Sequence, residues 1–204
     1  MGPGRISVKS MEKEIRGTKG EIRKRILMLR DYLSDEERDR AAVLLTEKLL
    51  GHQWFYGSEI FLGFVSYGSE INTREILLEA LKAGKRVYVP KVIPGKEYPE
   101  MCFYRITGME ELEEGYRGIP EPSGRSERYV YAEATSGSTL MLMPGVAFDV
   151  RRNRIGYGKG FYDRFLEDKP GLQLRTIAVG YHCQMVEELP AEDRDIKPCQ
   201  VICV

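Results

Sequence analysis

Apolar positions recur along this chain with two different periods. Over residues 19–33 they lie three to four residues apart, which predicts an amphipathic helix with its apolar face formed by Ile22, Ile26, Leu29 and Leu33. Ser34 then opens the stretch Ser-Asp-Glu-Glu, which has the pattern of a capping box, so a second helix is predicted to begin there. Another helix is predicted over 72–85, closed by Gly84.

Short apolar runs lie between and after these helices, and each has the length of a strand. The predicted strands are residues 59–65, 86–92, 101–106, 139–144, 174–181 and 200–204. Strands that alternate with helices are typical of an α/β protein with a largely parallel sheet, whose ligands bind at the carboxyl ends of the strands. We therefore predict a single three-layer domain over 19–204, with helices on both faces of the sheet and a polar N-terminal extension over 1–18. Residues 118–138, rich in Gly, Pro and Ser, are predicted to form a long surface loop.

Composition narrows the classes of function. Lys plus Arg number 31 and Asp plus Glu number 31, and this zero net charge favours neither nucleic acid nor an anionic membrane as a partner. No run of about 18 apolar residues occurs, and the start has no apolar stretch of signal-peptide length, so we expect no membrane span and a cytoplasmic protein. The four cysteines lack the spacing of metal ligands and are expected to be reduced thiols. Because no apolar stripe is left over, we expect a monomer.

The segment RIGYGKGFYDRF, residues 154–165, concentrates the candidate chemistry. Ordering three alternate glycines costs conformational entropy, so their presence in an ordered segment would indicate a specific role. A glycine-rich backbone can approach a ligand closely and turn its amide groups toward an anion. Lys159 lies within this predicted anion nest, Arg154 flanks it, and the residues after Gly160 are predicted to be helical, so the segment suits a polyphosphate.

The segment matches neither of the common phosphate-binding motifs. Gly160 follows Lys159 where a P-loop has Ser or Thr, and no strand leads directly into the segment as in a dinucleotide fold. From the glycines alone, a mobile surface loop with solvated cations is an equal alternative, which the aromatic residues weaken. Asp163 is either an acid that complements the helix dipole or a magnesium ligand beside a triphosphate, and its spacing leaves both open.

The longer stretch PGVAFDVRRNRIGYGKGFYDRF, residues 144–165, resembles the strongest motif of the 5-formyltetrahydrofolate cyclo-ligases, also called 5,10-methenyltetrahydrofolate synthetases. Weaker likenesses follow the family order at 19–23, 67–76, 84–92 and 179–196. Arg152 stands where the family usually has a turn glycine, and Asn153 could take the left-handed conformation instead. The other departures from the motifs are Ile155 for Leu, Phe161 for Tyr and Arg194 for His.

The resemblance implies an ATP- and magnesium-dependent ring closure of a reduced folate. 5-Formyltetrahydrofolate would become 5,10-methenyltetrahydrofolate, with release of ADP and phosphate. ATP would phosphorylate the formyl oxygen, and the folate N10 would then attack the same carbon as phosphate leaves. Such chemistry needs positioning and charge neutralisation more than a protein nucleophile.

The same resemblance implies roles for particular residues. Lys19 and Arg23 would reach ATP, and Asp163 and Asp195 would hold Mg²⁺. Glu70 would bind folate, with Val65 packed against it. Arg154 and Lys159 would be catalytic, Lys159 by stabilising the transferring phosphoryl group. The nucleotide loop would comprise Arg154, Ile155, Gly156, Tyr157, Gly158, Lys159, Gly160, Phe161 and Tyr162. Folate would border its central part, which is Tyr157, Gly158, Lys159, Gly160 and Phe161.

Two other classes of function compete with this interpretation. A different enzyme on a related α/β scaffold, acting on phosphorylated sugars or acyl-CoA, could use the same anion nest and would turn over without ATP. A nucleotide- or folate-binding regulator would bind its ligand but release no ADP. The presence of Lys159, Asp163 and Asp195 argues against such a regulator.

Overall fold

The computed structural model describes residues 17–95 and 97–204, so the predicted extension over 1–18 lies outside the described residues except for Gly17 and Thr18. Helix α1 (Lys19–Asp31) begins at a capping box formed by Thr18 and Glu21. Helix α2 (Asp35–Leu50) begins at the capping box predicted at Ser34, which Glu37 completes. Both helices therefore begin where a side chain satisfies free backbone amides of the first turn.

The remaining helices are shorter: α3 (Gln53–Tyr56), α4 (Arg74–Lys82), α5 (Glu133–Ser136), α6 (Phe161–Leu166) and α7 (Pro170–Gln173). Helix α4 is shorter than the predicted 72–85 at both ends, and the Thr73 hydroxyl that precedes it donates to the Phe64 carbonyl instead of capping the helix. Gly84 follows it with a φ of +74°, as a closing glycine should. Among the described residues, no helix is both long and apolar enough to cross a membrane.

Each predicted strand is present, together with several short ones that we did not predict. They are β1 (Ile60–Leu62), β2 (Arg86–Ile93), β3 (Glu100–Ile106), β4 (Leu112–Glu114), β5 (Pro120–Pro122), β6 (Thr139–Met143), β7 (Ala147–Asp149), β8 (Arg154–Ile155), β9 (Thr176–Gly180), β10 (Met185–Val186) and β11 (Gln200–Cys203). The central sheet has six strands in the order β11-β9-β6-β1-β2-β3. All neighbours in it are parallel except β2 and β3, which confirms the predicted largely parallel sheet.

The central strands alternate between two buried clusters, as a pleated strand covered on both faces requires. One cluster joins α2, α3 and α4 to Phe61, Val87, Leu140 and Ile177. The other joins α6 and α7 to Ile60, Tyr88, Met141 and Ala178. Helices therefore cover both faces of the sheet, as predicted.

A second, three-stranded sheet in the order β10-β7-β8 positions the glycine-rich segment. The apolar face of α1 packs here, where Ile22, Ile26 and Leu29 form a buried cluster with Val146, Ala147 and Ile155. This packing brings α1 beside residues 154–165.

The prediction of a long surface loop over 118–138 is wrong. Strand β5 pairs with β4, α5 forms one helical turn, and Arg128 bridges to Tyr104 on the edge strand β3. Tyr129 is buried against Tyr88, with the ring centroids 5.5 Å apart. The segment therefore covers the sheet edge, a tertiary role that its Gly, Pro and Ser content did not reveal.

Candidate active site

The carboxyl ends of β1, β6 and β9 border a narrow cleft. Phe64 follows β1, Pro144 and Gly145 follow β6, and Gln184 lies in the turn after β9. Its lining is completed by residues of α1, of the loop after β1 and of β9 itself, namely Arg30, Glu70, Ile71 and Val179. The cleft therefore lies at the edge of the sheet where we predicted ligands to bind.

The glycine-rich segment runs past α1 before entering helix α6. Gly158 and Gly160 have φ angles of +88° and +62°, which L side chains rarely adopt, so glycine is required by the path of the backbone. The Gly156 carbonyl accepts a hydrogen bond of 2.8 Å from Arg23 Nε. Helix α6 begins at Phe161, as predicted, and the Lys159 side chain is exposed.

Arg154 is a buried cation beneath this segment. Its side chain is 4% exposed, and its Nη2 lies 3.0 Å from Asp163 Oδ1. Its Nη1 donates to the Pro144 carbonyl at 3.3 Å, and the guanidinium carbon lies 5.7 Å from the centroid of the Tyr162 ring. The buried Nε has no hydrogen-bond partner among the residues that the structure describes.

Asp163 and Asp195, the predicted metal ligands, are linked through the backbone. The amide that follows Asp195, that of Ile196, donates to Asp163 Oδ1 at 3.1 Å. Lys19 Nζ lies 2.6 Å from Asp195 Oδ2 and 3.0 Å from Glu192 Oε1. Burial acts to raise the pKa of Asp195, but Lys19 and the Glu192 amide outweigh it and lower that pKa. In 17–95 and 97–204, no three His, Cys, Asp or Glu side chains form a cluster that could hold a metal ion.

Glu70 lies in the loop after β1 and faces the glycine-rich segment. Its Oε2 accepts a hydrogen bond of 2.9 Å from the Tyr67 amide. Burial raises the pKa of Glu70, while Tyr157, the Tyr67 amide and Arg30 oppose that shift. The pKa of Tyr157 is raised by burial and by the charge of Glu70. A carboxylate and a phenol from distant parts of the sequence therefore shift each other's pKa.

The predicted folate contact Val65 and the last two residues of the predicted nucleotide loop, Phe161 and Tyr162, lie at two sides of the sheet. Val65 is half-buried and packs against the cluster formed with α2 and α4. Phe161 and Tyr162 pack against the opposite cluster, and Phe161 meets the ring of Tyr116 edge-on, with centroids 6.1 Å apart.

The turn before the glycine-rich segment corrects one prediction. Arg152, not Asn153, adopts the left-handed conformation, with a φ of +64°. Asn153 is held elsewhere because its amide and its side-chain Nδ2 both donate to Asp149, at 2.8 Å and 2.7 Å. Pairing with a buried carboxylate therefore outweighs the local preference of Asn for the left-handed region.

Comparison with known proteins decides the family. Residues 15–204 match the model of the 5-formyltetrahydrofolate cyclo-ligase family. The chain belongs to this family. It is 30% identical over 193 residues to the mouse 5-formyltetrahydrofolate cyclo-ligase, covering 92% of each chain. It is 31% identical to the probable 5-formyltetrahydrofolate cyclo-ligase of Caenorhabditis elegans, covering 92% of this chain and 93% of the relative.

A solved structure of similar fold supports the same family assignment. The solution NMR structure of Aquifex aeolicus 5,10-methenyltetrahydrofolate synthetase superposes with a TM-score of 0.73 at 34% sequence identity. The match covers 88% of this chain and 86% of the other. The family predicted from residues 144–165 is confirmed, and with it the prediction of a cyclo-ligase enzyme.

Two cleft residues of this cyclo-ligase were missed by sequence reasoning. Arg30 is 3% exposed and Gln184 is 1% exposed. Gln184 ties the loops after β6 and β9 together, since its Nε2 donates to the Gly145 carbonyl at 2.7 Å and its Oε1 accepts from the Tyr181 amide at 2.9 Å. Gln184 lies within the family likeness at 179–196 but was given no role, whereas Arg30 recurs at helical spacing after Lys19 and Arg23.

Proposed function

We propose that this cyclo-ligase converts 5-formyltetrahydrofolate to 5,10-methenyltetrahydrofolate with ATP and Mg²⁺, releasing ADP and phosphate through a phosphorylated formyl intermediate. One observation supports this most strongly: Arg30 contacts both parts of the site, since its Nε donates to Ser69 Oγ at 2.9 Å and its guanidinium carbon lies 5.7 Å from the centroid of the Tyr157 ring. A segment suited to a polyphosphate and the loop that carries a carboxylate suited to a pterin ring thus meet at Arg30, which lines the cleft. Transfer of a phosphoryl group between two substrates requires such adjacency.

The folate end of the cleft is assigned to Glu70. An ionised carboxylate can accept two hydrogen bonds at once, which matches the ring amide and amino group of a pterin. The hydrogen bond from the Tyr67 amide fixes the orientation of this carboxylate. The family resemblance also assigns Val65 and Phe161 to folate, and both are half-buried.

The nucleotide end is assigned to residues 154–162, with Lys19 and Arg23 beside them. Arg23 is already bound to the segment through the Gly156 carbonyl. Lys159 is exposed, so its ammonium can move to the phosphates without breaking core packing. A cation placed on the transferring phosphoryl group stabilises the charge that spreads over its oxygens.

The two aspartates fit a Mg²⁺ ion that is shared with ATP. Asp163 uses Oδ1 and Asp195 uses Oδ2 in their hydrogen bonds to described residues, which leaves the second oxygen of each carboxylate for a ligand. Mg²⁺ is commonly held by one or two carboxylates together with phosphate oxygens and water. When bound, the ion would neutralise phosphate charge and orient the nucleotide.

The cleft then has to place two substrates and exclude water. The oxygen of an N-formyl group is a poor leaving group, so phosphorylation by ATP first converts it into a good one and releases ADP. N10 attacks the formyl carbon, the carbon–oxygen bond breaks, and phosphate leaves with its electron pair. N10 loses its proton as the ring closes. The protein contributes positioning and positive charge, which Lys159, Arg154, Lys19 and Arg23 supply.

The first experiment follows absorbance, because the methenyl product has an extended chromophore that the substrate lacks. Purified protein is mixed with 5-formyltetrahydrofolate, ATP and magnesium, with each component omitted in turn. We expect a new near-ultraviolet band that requires both ATP and magnesium. Turnover without ATP would point to a different enzyme on this scaffold. Binding of ATP or folate without product or ADP would point to a regulator, and either result would overturn the proposal.

A further inference from the structure

Arg30 is a nearly buried cation to which the sequence assigned no role. It is 3% exposed, lies near the end of α1, and lines the cleft beside Glu70. Long cationic side chains are rarely this buried unless they are paired, because removing the charge from water is costly. Its partners therefore indicate what it does.

The helix α1 presents Arg30 on the same side as the predicted nucleotide-binding cations. Positions 19, 23 and 30 fall within about 40° of one another around a helix of 3.6 residues per turn. Along the helix axis Lys19 and Arg30 are separated by about 16 Å. One rigid element thus carries cations from the Asp195 end of the site to the Glu70 end.

The contacts of Arg30 converge on the residues around Glu70. Its Nε donates a hydrogen bond of 2.9 Å to Ser69 Oγ, and the Ser69 hydroxyl in turn donates to Asp31 Oδ1. Its guanidinium carbon lies 5.7 Å from the centroid of the Tyr157 ring. Because Ser69 directly precedes Glu70, these contacts join the Glu70 loop to the aromatic ring of the glycine-rich segment through Arg30.

We propose that Arg30 is a positioning residue for folate binding. It anchors the Glu70 loop through Ser69 and fixes the position of the Glu70 carboxylate relative to the Tyr157 ring. The part of this inference that concerns folate rests on the proposed function. The contact of Arg30 with the Glu70 loop does not depend on it.

The groups around Glu70 determine how its pKa responds when the charge of Arg30 is removed. They are Arg30 from α1, Tyr157 from the glycine-rich segment, Tyr162 from α6 and the Tyr67 amide of its own loop, while the Tyr181 hydroxyl donates to the main-chain carbonyl of Glu70. Asp31 reaches the loop through Ser69, and its charge is opposite to that of Arg30. Removing the positive charge of Arg30 leaves burial to favour the neutral carboxyl, so the pKa of Glu70 should rise further. A protonated Glu70 would lose the double acceptor geometry that a pterin needs.

The first test titrates Glu70 directly, without substrate. The carboxyl carbon of Glu70 is followed by NMR in the wild type, in Arg30→Met, in Arg30→Lys and in the control Lys24→Met, which changes an exposed cation of the same helix. We expect the midpoint to rise in Arg30→Met, to be partly restored in Arg30→Lys and to be unchanged in the control. An unchanged midpoint in Arg30→Met would overturn the inference.

The second test separates positioning from a purely structural role. We expect Arg30→Met to raise the KM for 5-formyltetrahydrofolate about tenfold or more, with the KM for ATP within about twofold, and to shift the acidic limb of kcat/KM for folate to higher pH. Equal loss for both substrates, with a lower Tm and no shift of the acidic limb, would show a structural role only.

A further variant keeps the test decisive if Arg30→Met does not fold. Ser69→Ala removes the anchor of Arg30 and leaves its charge, so we expect a smaller rise in the KM for folate in the same direction. No change in that KM would overturn the anchoring role. If the wild type formed no product, the proposed function would fail, and the NMR titration would still decide the contact between Arg30 and Glu70.

Discussion

Lys19 Nζ lies 2.6 Å from Asp195 Oδ2, so the first residue of α1 is joined to a loop 176 residues further along the chain. Both side chains are 24% exposed, which makes this pair better shielded from solvent than an ordinary surface ion pair. Asp195 also accepts from the Glu192 amide at 2.7 Å. The pair therefore ties the start of α1 to the loop that carries Asp195.

The interaction between Lys19 and Asp195 should be measurable through its effect on the free energy of unfolding. In a double-mutant cycle of Lys19→Met and Asp195→Asn, we expect a coupling of about 1 kcal/mol in the free energy of unfolding by urea near neutral pH. The exposed pair Arg151 and Glu188, whose nitrogen and oxygen lie 2.9 Å apart, is the matched control and should give a coupling near zero.

The pH dependence of this coupling follows from the two pKa shifts. The pKa of Asp195 is lowered from 3.8, so its contribution is present above that value and is lost as the pH falls through the folded pKa. The pKa of Lys19 is raised from 10.5, because Asp195 and Glu192 outweigh the opposing effect of burial, so its contribution is lost only as the pH rises beyond that value. A coupling that did not change between neutral and strongly acidic pH would contradict the ion pair.

Lys159→Ala should impair turnover without affecting folding. The side chain is exposed, so the free energy of unfolding should stay within about 0.5 kcal/mol of the wild type. Loss of a cation on the transferring phosphoryl group should lower kcat by a factor on the order of 10² or more. Lys48→Ala, at an exposed position of α2, is the control and should retain full turnover. Near-normal kcat in Lys159→Ala would remove this residue from the chemistry.

Glu70→Gln should separate the two substrates. The amide keeps the size of the side chain but replaces one acceptor oxygen with a donor, so the pterin ring would lose one of two hydrogen bonds. We expect a large rise in the KM for 5-formyltetrahydrofolate and unchanged ATP binding by calorimetry. In the wild type, burial raises the pKa of Glu70, so folate binding should weaken as the pH falls toward that raised pKa. Equal loss of affinity for ATP would count against the assignment.

The sequence predicted those helices and strands whose limits are set by neighbouring residues. Ser34 and Glu37 mark a helix start within four consecutive residues, and the continuous apolar run of β6 marks a strand buried on both faces. Strands as short as β8 and β10 leave no such pattern, because tertiary pairing alone defines them. For the same reason, the meeting of Arg30 with the Glu70 loop, 39 residues apart, could not be predicted from sequence.

Asp149→Asn should destabilise the fold and the turn that leads into the glycine-rich segment. The carboxylate is 1% exposed and accepts from the amides of Arg151, Asn153 and Leu189 and from Asn153 Nδ2. An amide at this position cannot accept all of these bonds, and a buried donor left unpaired costs about 1–3 kcal/mol. Urea unfolding measures the loss, and Asp39→Asn, an exposed position of α2, should be near neutral. Equal stability of both variants would show that the Asp149 contacts contribute little.

Arg152 should reveal the strain of its left-handed backbone. Its φ is +64°, and its Nη1 donates to the Cys199 carbonyl at 2.7 Å. Arg152→Gly and Arg152→Ala both remove that hydrogen bond, but glycine alone adopts a positive φ without steric cost. We therefore expect the Gly variant to be more stable than the Ala variant by about 1 kcal/mol in urea unfolding, since the relief of strain outweighs the greater backbone entropy of glycine in the unfolded chain. At the exposed helical position Arg40 the same pair of substitutions should give the opposite order by a similar amount, because there alanine is favoured. If the Ala variant were as stable as the Gly variant, the turn must relax out of the left-handed region. Comparing the turnover of the two variants would then show whether the glycine-rich segment moves with the turn.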